Sequence, residues 1–131
     1  MSMLKLFFYM INLIFVAFYL YPGSILGRII YGDFKKQPQL TNDFNFSFLD
    51  FSSNHIYAFA IISCLGLIVF YKNNFKQITI YLFSISLILE ILHIIIPYRS
   101  FQFSDLNGNF LGVIIIYIIF YIHSYAKKIF N

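Results

Sequence analysis

Between Leu89 and Gly112 the chain reads LEILHIIIPYRSFQFSDLNGNFLG, two apolar runs joined by a segment that gathers Glu90, His93, Arg99, Asp105 and Asn109. What surrounds these polar residues decides the fold. The flanking runs are long, roughly Ile78 to Ile96 before the segment and Phe110 to Tyr125 after it, and two more lie upstream, roughly Leu4 to Tyr21 and Ile56 to Tyr71. A run of about 20 apolar residues is the length an α-helix needs to cross the hydrocarbon core of a bilayer. Composition agrees: of 131 residues 60% are hydrophobic and 11% charged, against about 25% charged in an ordinary soluble domain, and mean hydropathy is +0.78. The sequence predicts a single all-α membrane domain over residues 1–131, with four transmembrane helices arranged as two hairpins and a long outer loop between helices 1 and 2.

Lys5 precedes the first run as it would in a signal peptide, but FVAFYLYPGS offers no small-residue cleavage site, so the run reads as a retained span. The net charge of +4 does not point to nucleic acid, whose binders cluster Lys and Arg on a solvated face. Here the cations flank the spans. Lys5, Lys72, Lys76, Lys127 and Lys128 share one side without an acidic neighbour, while Arg28, Lys35, Lys36 and Arg99 on the other are diluted by Asp33, Asp43, Asp50 and Asp105. The positive-inside rule then puts both termini in the cytoplasm of a multi-pass protein of the cell (inner) membrane. The lone cysteine, Cys64, falls inside the second span and reads as a small core residue.

The outer loop, Pro22 to Asn54, carries Ile25, Leu26, Ile29 and Ile30 at helical spacing around Arg28, the pattern of a short helix lying in the headgroup layer. Phe44, Phe46 and Phe48 alternate with Asn45 and Ser47, which predicts a short extended stretch. Tyr19, Tyr21, Tyr71, Tyr98, Tyr121 and Tyr125 lie near span ends and read as an aromatic belt without functional weight.

Glu90 lies two turns before Pro97, which places it about 10 Å inside the third span. His93 follows at i+3 on the same face, Pro97 stops the helix, and Arg99 stands at headgroup level. The fourth helix is expected to begin near Ser104 or Asp105, either of which can serve as N-cap. Asp105, Asn109 and Gly112 then share one stripe, and Gly108 with Gly112 forms a G-x-x-x-G that lets a neighbouring helix approach closely. His55 opens the second span from the same side, with Ser63 and Gly66 on its stripe. A polar pocket of His55, Glu90, His93, Arg99, Asp105 and Asn109 is therefore expected at the outer end of the bundle. A charge at that depth must be neutralised or paired, with Arg99 or a histidine as partner for Glu90.

Glu90-x-x-His93 matches half of a di-iron ligand pattern, but the spans lack the second pair and the further glutamates. His55, His93 and Glu90 form a conceivable zinc set whose spacing specifies nothing. No G-x-S-x-G and no phosphate-binding glycine loop occurs, so no catalytic residue, metal or cofactor is assigned.

In these residues the chain resembles the VanZ-like family of small integral membrane proteins. The family pattern is matched by Glu90, Pro97, Arg99, Asp105, Asn109 and Gly112, with His93 where the family usually has Gln; Tyr21 to Ser24 (YPGS) is similar to the close of its first span, and NHIYAFAIISCLG to its histidine-led second helix, mapping His55. The family often has an Asp-Lys pair before that histidine; here SSN stands there, with Asp50 one residue further off and no Lys. The resemblance implies a cell-envelope protein and a link to glycopeptide-antibiotic resistance.

Three functions fit. The first is a non-catalytic protein whose outer-leaflet pocket binds a polar or anionic headgroup, a lipid-linked glycan or a partner helix, with membrane lipids as its surroundings and oligomeric state left open. The second is a membrane enzyme acting on a lipid or polyprenyl substrate, with Glu90 or His93 as acid or base. The third is an oligomeric proton-coupled transporter with Glu90 as coupling site.

Overall fold

The computed structural model describes residues 2–130, with side chains through Lys127; the side chain of Lys128 lies outside the described set. Four α-helices and one small hairpin follow in order: α1 (Met3–Tyr19), α2 (Ile25–Tyr31), β1 (Phe44–Phe46), β2 (Leu49–Phe51), α3 (Ser53–Leu92) and α4 (Phe103–Phe130). Two of the helices, α3 and α4, are long and apolar enough to cross a membrane.

The 40 residues of α3 merge the expected second and third spans. At about 1.5 Å per residue a straight helix would hold His55 and Glu90 roughly 50 Å apart, yet ligand atoms of the two lie within 4.8 Å. The helix therefore doubles back. Asn74 is the hinge, with φ −139° and ψ 33°, and it lies in the KNNFKQ stretch expected to be a loop; a single non-helical residue replaces that loop. The arms, residues 53–73 and 75–92, run antiparallel, and Gly66 on one abuts Ile78 on the other.

Two expected boundaries are corrected. α3 ends at Leu92 with His93 as its C-cap, not at Ile96, because the ring of Pro97 collides with the carbonyl four residues back, at His93, and cannot donate to it. Residues 94 and 95 continue as tight i+3 turns. α4 begins at Phe103, so Asp105 sits in its first turn instead of capping it, where a carboxylate still complements the helix dipole.

Phe8 of α1, Phe59, Ile62, Leu67, Ile78, Leu82 and Leu89 of α3, and Val113 of α4 make the core. α4 lies on the first arm of α3 through its two glycines. A Cβ on Gly108 would stand 2.6 Å from the Ser52 carbonyl oxygen, and one on Gly112 would stand 2.5 Å from that of Ile56; only glycine permits backbones this close. α2 forms at the expected spacing, capped by the Ser24 hydroxyl, which accepts from the Gly27 amide. The Phe44 alternation becomes a two-stranded antiparallel hairpin pairing Phe44 with Phe51, tied to α4 by the Asn107 amide donating to the Asp50 carbonyl.

Candidate functional site

The hinge of α3 returns Glu90 to the level of His55, and α1 and α4 deliver Tyr19 and Asn109 to the same point. Tyr19 is the centre. Its hydroxyl donates to Glu90 Oε2 at 2.8 Å, accepts from Asn109 Nδ2 at 2.8 Å and lies 2.9 Å from His55 Nδ1. Its ring stacks on His93, centroids 4.8 Å apart and 10° from parallel.

Glu90 and Asn109 are 0% exposed. The depth expected for Glu90 is corrected: it sits in the last turn of α3, and its shielding comes from the following loop, where the Gln102 amide donates to Oε1 at 3.0 Å. His93, also buried, lies with Nδ1 3.5 Å from Glu90 Oε2 and Nε2 3.1 Å from the Tyr19 carbonyl oxygen. His55 Nε2 faces Asp105 Oδ2 at 3.4 Å.

The partners fix the tautomers. Asn109 Nδ2 donates to the Ser86 carbonyl at 3.3 Å, which sets the orientation of the amide and turns its Oδ1 toward His55 Nδ1 at 2.9 Å. That oxygen only accepts, so His55 Nδ1 carries a proton. By the same logic the Tyr19 carbonyl requires a proton on His93 Nε2. Each imidazole therefore turns its second nitrogen toward a carboxylate.

Arg99 plays another part. Among the described residues it pairs with no carboxylate; its Nε donates to the Tyr21 carbonyl at 3.3 Å and Nη2 to that of Gly23 at 2.7 Å, clamping the chain just beyond α1. The partner that Glu90 finds is a histidine. Burial draws the Arg99 pKa below the usual guanidinium value, against the pull of Tyr19, Asp105 and Glu90, and an arginine so placed keeps its charge.

In front of this cluster opens a cavity of about 450 Å³, lined by Tyr19, His55, His93, Arg99 and Ser24, by the polar side chains of Gln37, Asn54 and Tyr57, and for the larger part by apolar side chains, among them Phe15, Phe18, Ile25, Leu26, Ala58 and Ile61. Glu90, Asp105 and Asn109 stand behind this wall. The six expected residues are thus brought to one place: His55, Glu90, His93 and Asn109 are hydrogen-bonded around Tyr19, Asp105 lies against His55, and Arg99 stands at the rim. Gly108 and Gly112 set the helix spacing behind them. The ligand-like grouping is His55, Glu90 and Asp105, where the sequence offered His55, His93 and Glu90.

Sequence reasoning misses Tyr19, assigned to the aromatic belt, and Gln102. For Tyr19 there was a signal: Phe8, Asn12, Phe15 and Tyr19 follow one another at spacings of four, three and four, the stripe a helix turns inward. Asn12 lies on that stripe and bonds Tyr81 of α3. Gln102 acts through its backbone amide, for which no side-chain pattern exists.

The family model for VanZ/LLP1 matches residues 6–124, nearly the whole chain, and the protein belongs to that family. Neither a curated protein nor a solved structure matches it significantly.

Proposed function

We propose that this VanZ/LLP1 protein is a four-span protein of the cell membrane that holds an anionic membrane lipid, headgroup against Arg99, His55 and His93, chain along the apolar part of the cavity. The observation that carries the reading is the cavity itself. Its volume, about 450 Å³, lies in the range of ligand sites, its walls are largely apolar, and its polar lining is a guanidinium, two imidazoles, phenols, amides and a serine, with no acid among them.

The four-span arrangement is supported by length. Each arm of α3 is about 30 Å long, the thickness of a hydrocarbon core, and α1, with 17 residues, is close to it. Leu4, Met10, Leu13, Phe18, Ile61, Ile68, Ile118 and Ile122 are exposed on these helices, an apolar surface that lipid would cover. Lys5, Lys72, Lys76 and Lys127 gather at the hinge end, which this reading puts in the cytoplasm, so that the cavity faces the outer leaflet. A lipid-linked glycan is an amphiphile of this kind, and the glycopeptide resistance associated with the family accords with such a ligand.

The other readings fit less well. Both Glu90 oxygens are engaged and none of its surface reaches the cavity, which disfavours it as acid or base for a bound substrate. Below it Phe59, Leu82, Leu67 and Phe8 close the core, which disfavours a proton path to the other side.

The test uses the full chain in detergent, offered short-chain phosphatidylglycerol or phosphatidylcholine and read by native mass spectrometry. Phosphatidylglycerol is expected to be retained at least tenfold better, and Ala58→Trp, which fills the apolar part without touching the polar cluster, is expected to abolish retention. Equal retention of the two lipids, or full retention by Ala58→Trp, overturns the reading.

A further inference from the structure

Behind the cavity wall the polar cluster poses a charge problem that the lipid reading leaves open. His55 Nδ1 and His93 Nε2 are committed as donors, so His55 Nε2 meets Asp105 Oδ2 at 3.4 Å and His93 Nδ1 meets Glu90 Oε2 at 3.5 Å as acceptor against acceptor, unless something positive lies between. Glu90 is fully buried and Asp105 largely so, and carboxylates so placed need a compensating positive charge or a proton of their own. A single divalent cation between them meets that need.

We propose that His55, Glu90 and Asp105 bind a divalent transition-metal ion of the Zn²⁺ class. A ligand atom from each lies within 4.8 Å of the other two. Metal–ligand bonds of about 2.0–2.2 Å in tetrahedral array separate ligand atoms by about 3.4 Å, the spacing already present between His55 Nε2 and Asp105 Oδ2. Glu90 would reach the ion through Oε2, exchanging the Tyr19 hydroxyl for the metal while Oε1 keeps the Gln102 amide.

The surroundings are those a metal-binding histidine requires. The nitrogen away from the metal donates to an oriented acceptor, here Asn109 Oδ1, itself fixed by the Ser86 carbonyl, so that Nε2 presents its lone pair. Tyr19 and His93 face the site from α1 and the end of α3, Gln102 and Arg99 from the connecting loop. One imidazole with two carboxylates suits Zn²⁺ or its first-row neighbours better than Mg²⁺, which prefers oxygen ligands and retains its water. Three protein ligands leave a fourth position open. The inference goes beyond lipid binding and does not rest on it, since Ala58→Trp leaves all three ligands untouched.

The experiment takes the full chain in detergent, strips it with a chelator and titrates Zn²⁺ calorimetrically. One ion per chain is expected, with weaker binding at pH 5.5 than at pH 7.5 because protons compete for the ligand atoms. Asp105→Asn and His55→Gln are expected to weaken binding at least tenfold. His123→Gln, which alters the exposed histidine near the other end of α4, is expected to leave it unchanged. Co²⁺ substituted into the unaltered chain provides a readout independent of variant folding: an intense visible band marks a low-coordinate site. No saturable ion, a cobalt spectrum like that of the aqueous ion, or affinity that follows His123 alone overturns the proposal.

Discussion

Tyr19 shows how much one hydroxyl can hold. It links α1 to both arms of α3 and to α4 through Glu90, His55 and Asn109, three groups with little or no access to water. Tyr19→Phe keeps the ring and its stack on His93 but strands a donor and an acceptor, each of which costs about 1–3 kcal/mol when buried unpaired. The variant is expected to unfold at lower temperature in detergent by that order, while Tyr21→Phe, at an exposed position, stays within about 0.5 kcal/mol of the parent. Were the two tyrosines equivalent members of an aromatic belt, both variants would behave alike. The acidic, histidine and amide members of the cluster were legible because ionisable residues in apolar runs are rare. Tyrosine at a span end is common, so its residue type carried no warning; only its register with Asn12 and Phe15 did.

At the scale of elements, hydropathy located all four apolar helical segments but misplaced their ends, for a reason specific to each. The hinge at Asn74 looked like a loop because KNNFKQ is polar, yet a polar stretch can turn the chain within one residue while its neighbours keep helical hydrogen bonds. Pro97 marked a stop, but the steric effect of its ring falls four residues upstream. The glycine pair on α4 was legible as a close-packing motif, though not which helix it would meet; the contact is with the first arm of α3. This contact decides the sign of a substitution. Gly→Ala inside a helix ordinarily gains about 1 kcal/mol of propensity, but at Gly112 the added methyl would stand 2.5 Å from the Ile56 oxygen and 2.9 Å from the Ala60 nitrogen, backbone atoms that yield only if the helices part. Overpacking of about 1–3 kcal/mol outweighs the gain. Gly112→Ala is expected to lower the thermal unfolding midpoint; a rise would show that α4 does not lie against α3 as described.

For the whole molecule the decisive asymmetry is of charge and opening. Lys5 stands over the Phe70 ring, within two residues of Lys72, and Lys76 follows just beyond the hinge, so one end of the bundle is basic without acids. The other end carries the polar cluster, the cavity mouth, α2 and the β-hairpin. Both the charge bias and the gathering of the polar residues at the outer end were legible in the sequence; that α3 folds back through the single residue Asn74 to bring them together was not. If the basic end is cytoplasmic, as positive-inside bias requires, the two ends differ in accessibility from outside the cell. In a Cys64→Ser background, a cysteine in place of Ser47, in the hairpin turn, is expected to react with a membrane-impermeant maleimide on intact cells. A cysteine in place of Asn74 is expected to react only after the membrane is permeabilised. The opposite pattern would put the cavity on the cytoplasmic side, where its ligand would be an inner-leaflet lipid. Labelling of both without permeabilisation would mean that the arms of α3 do not cross the membrane, and the four-span arrangement would fall with them.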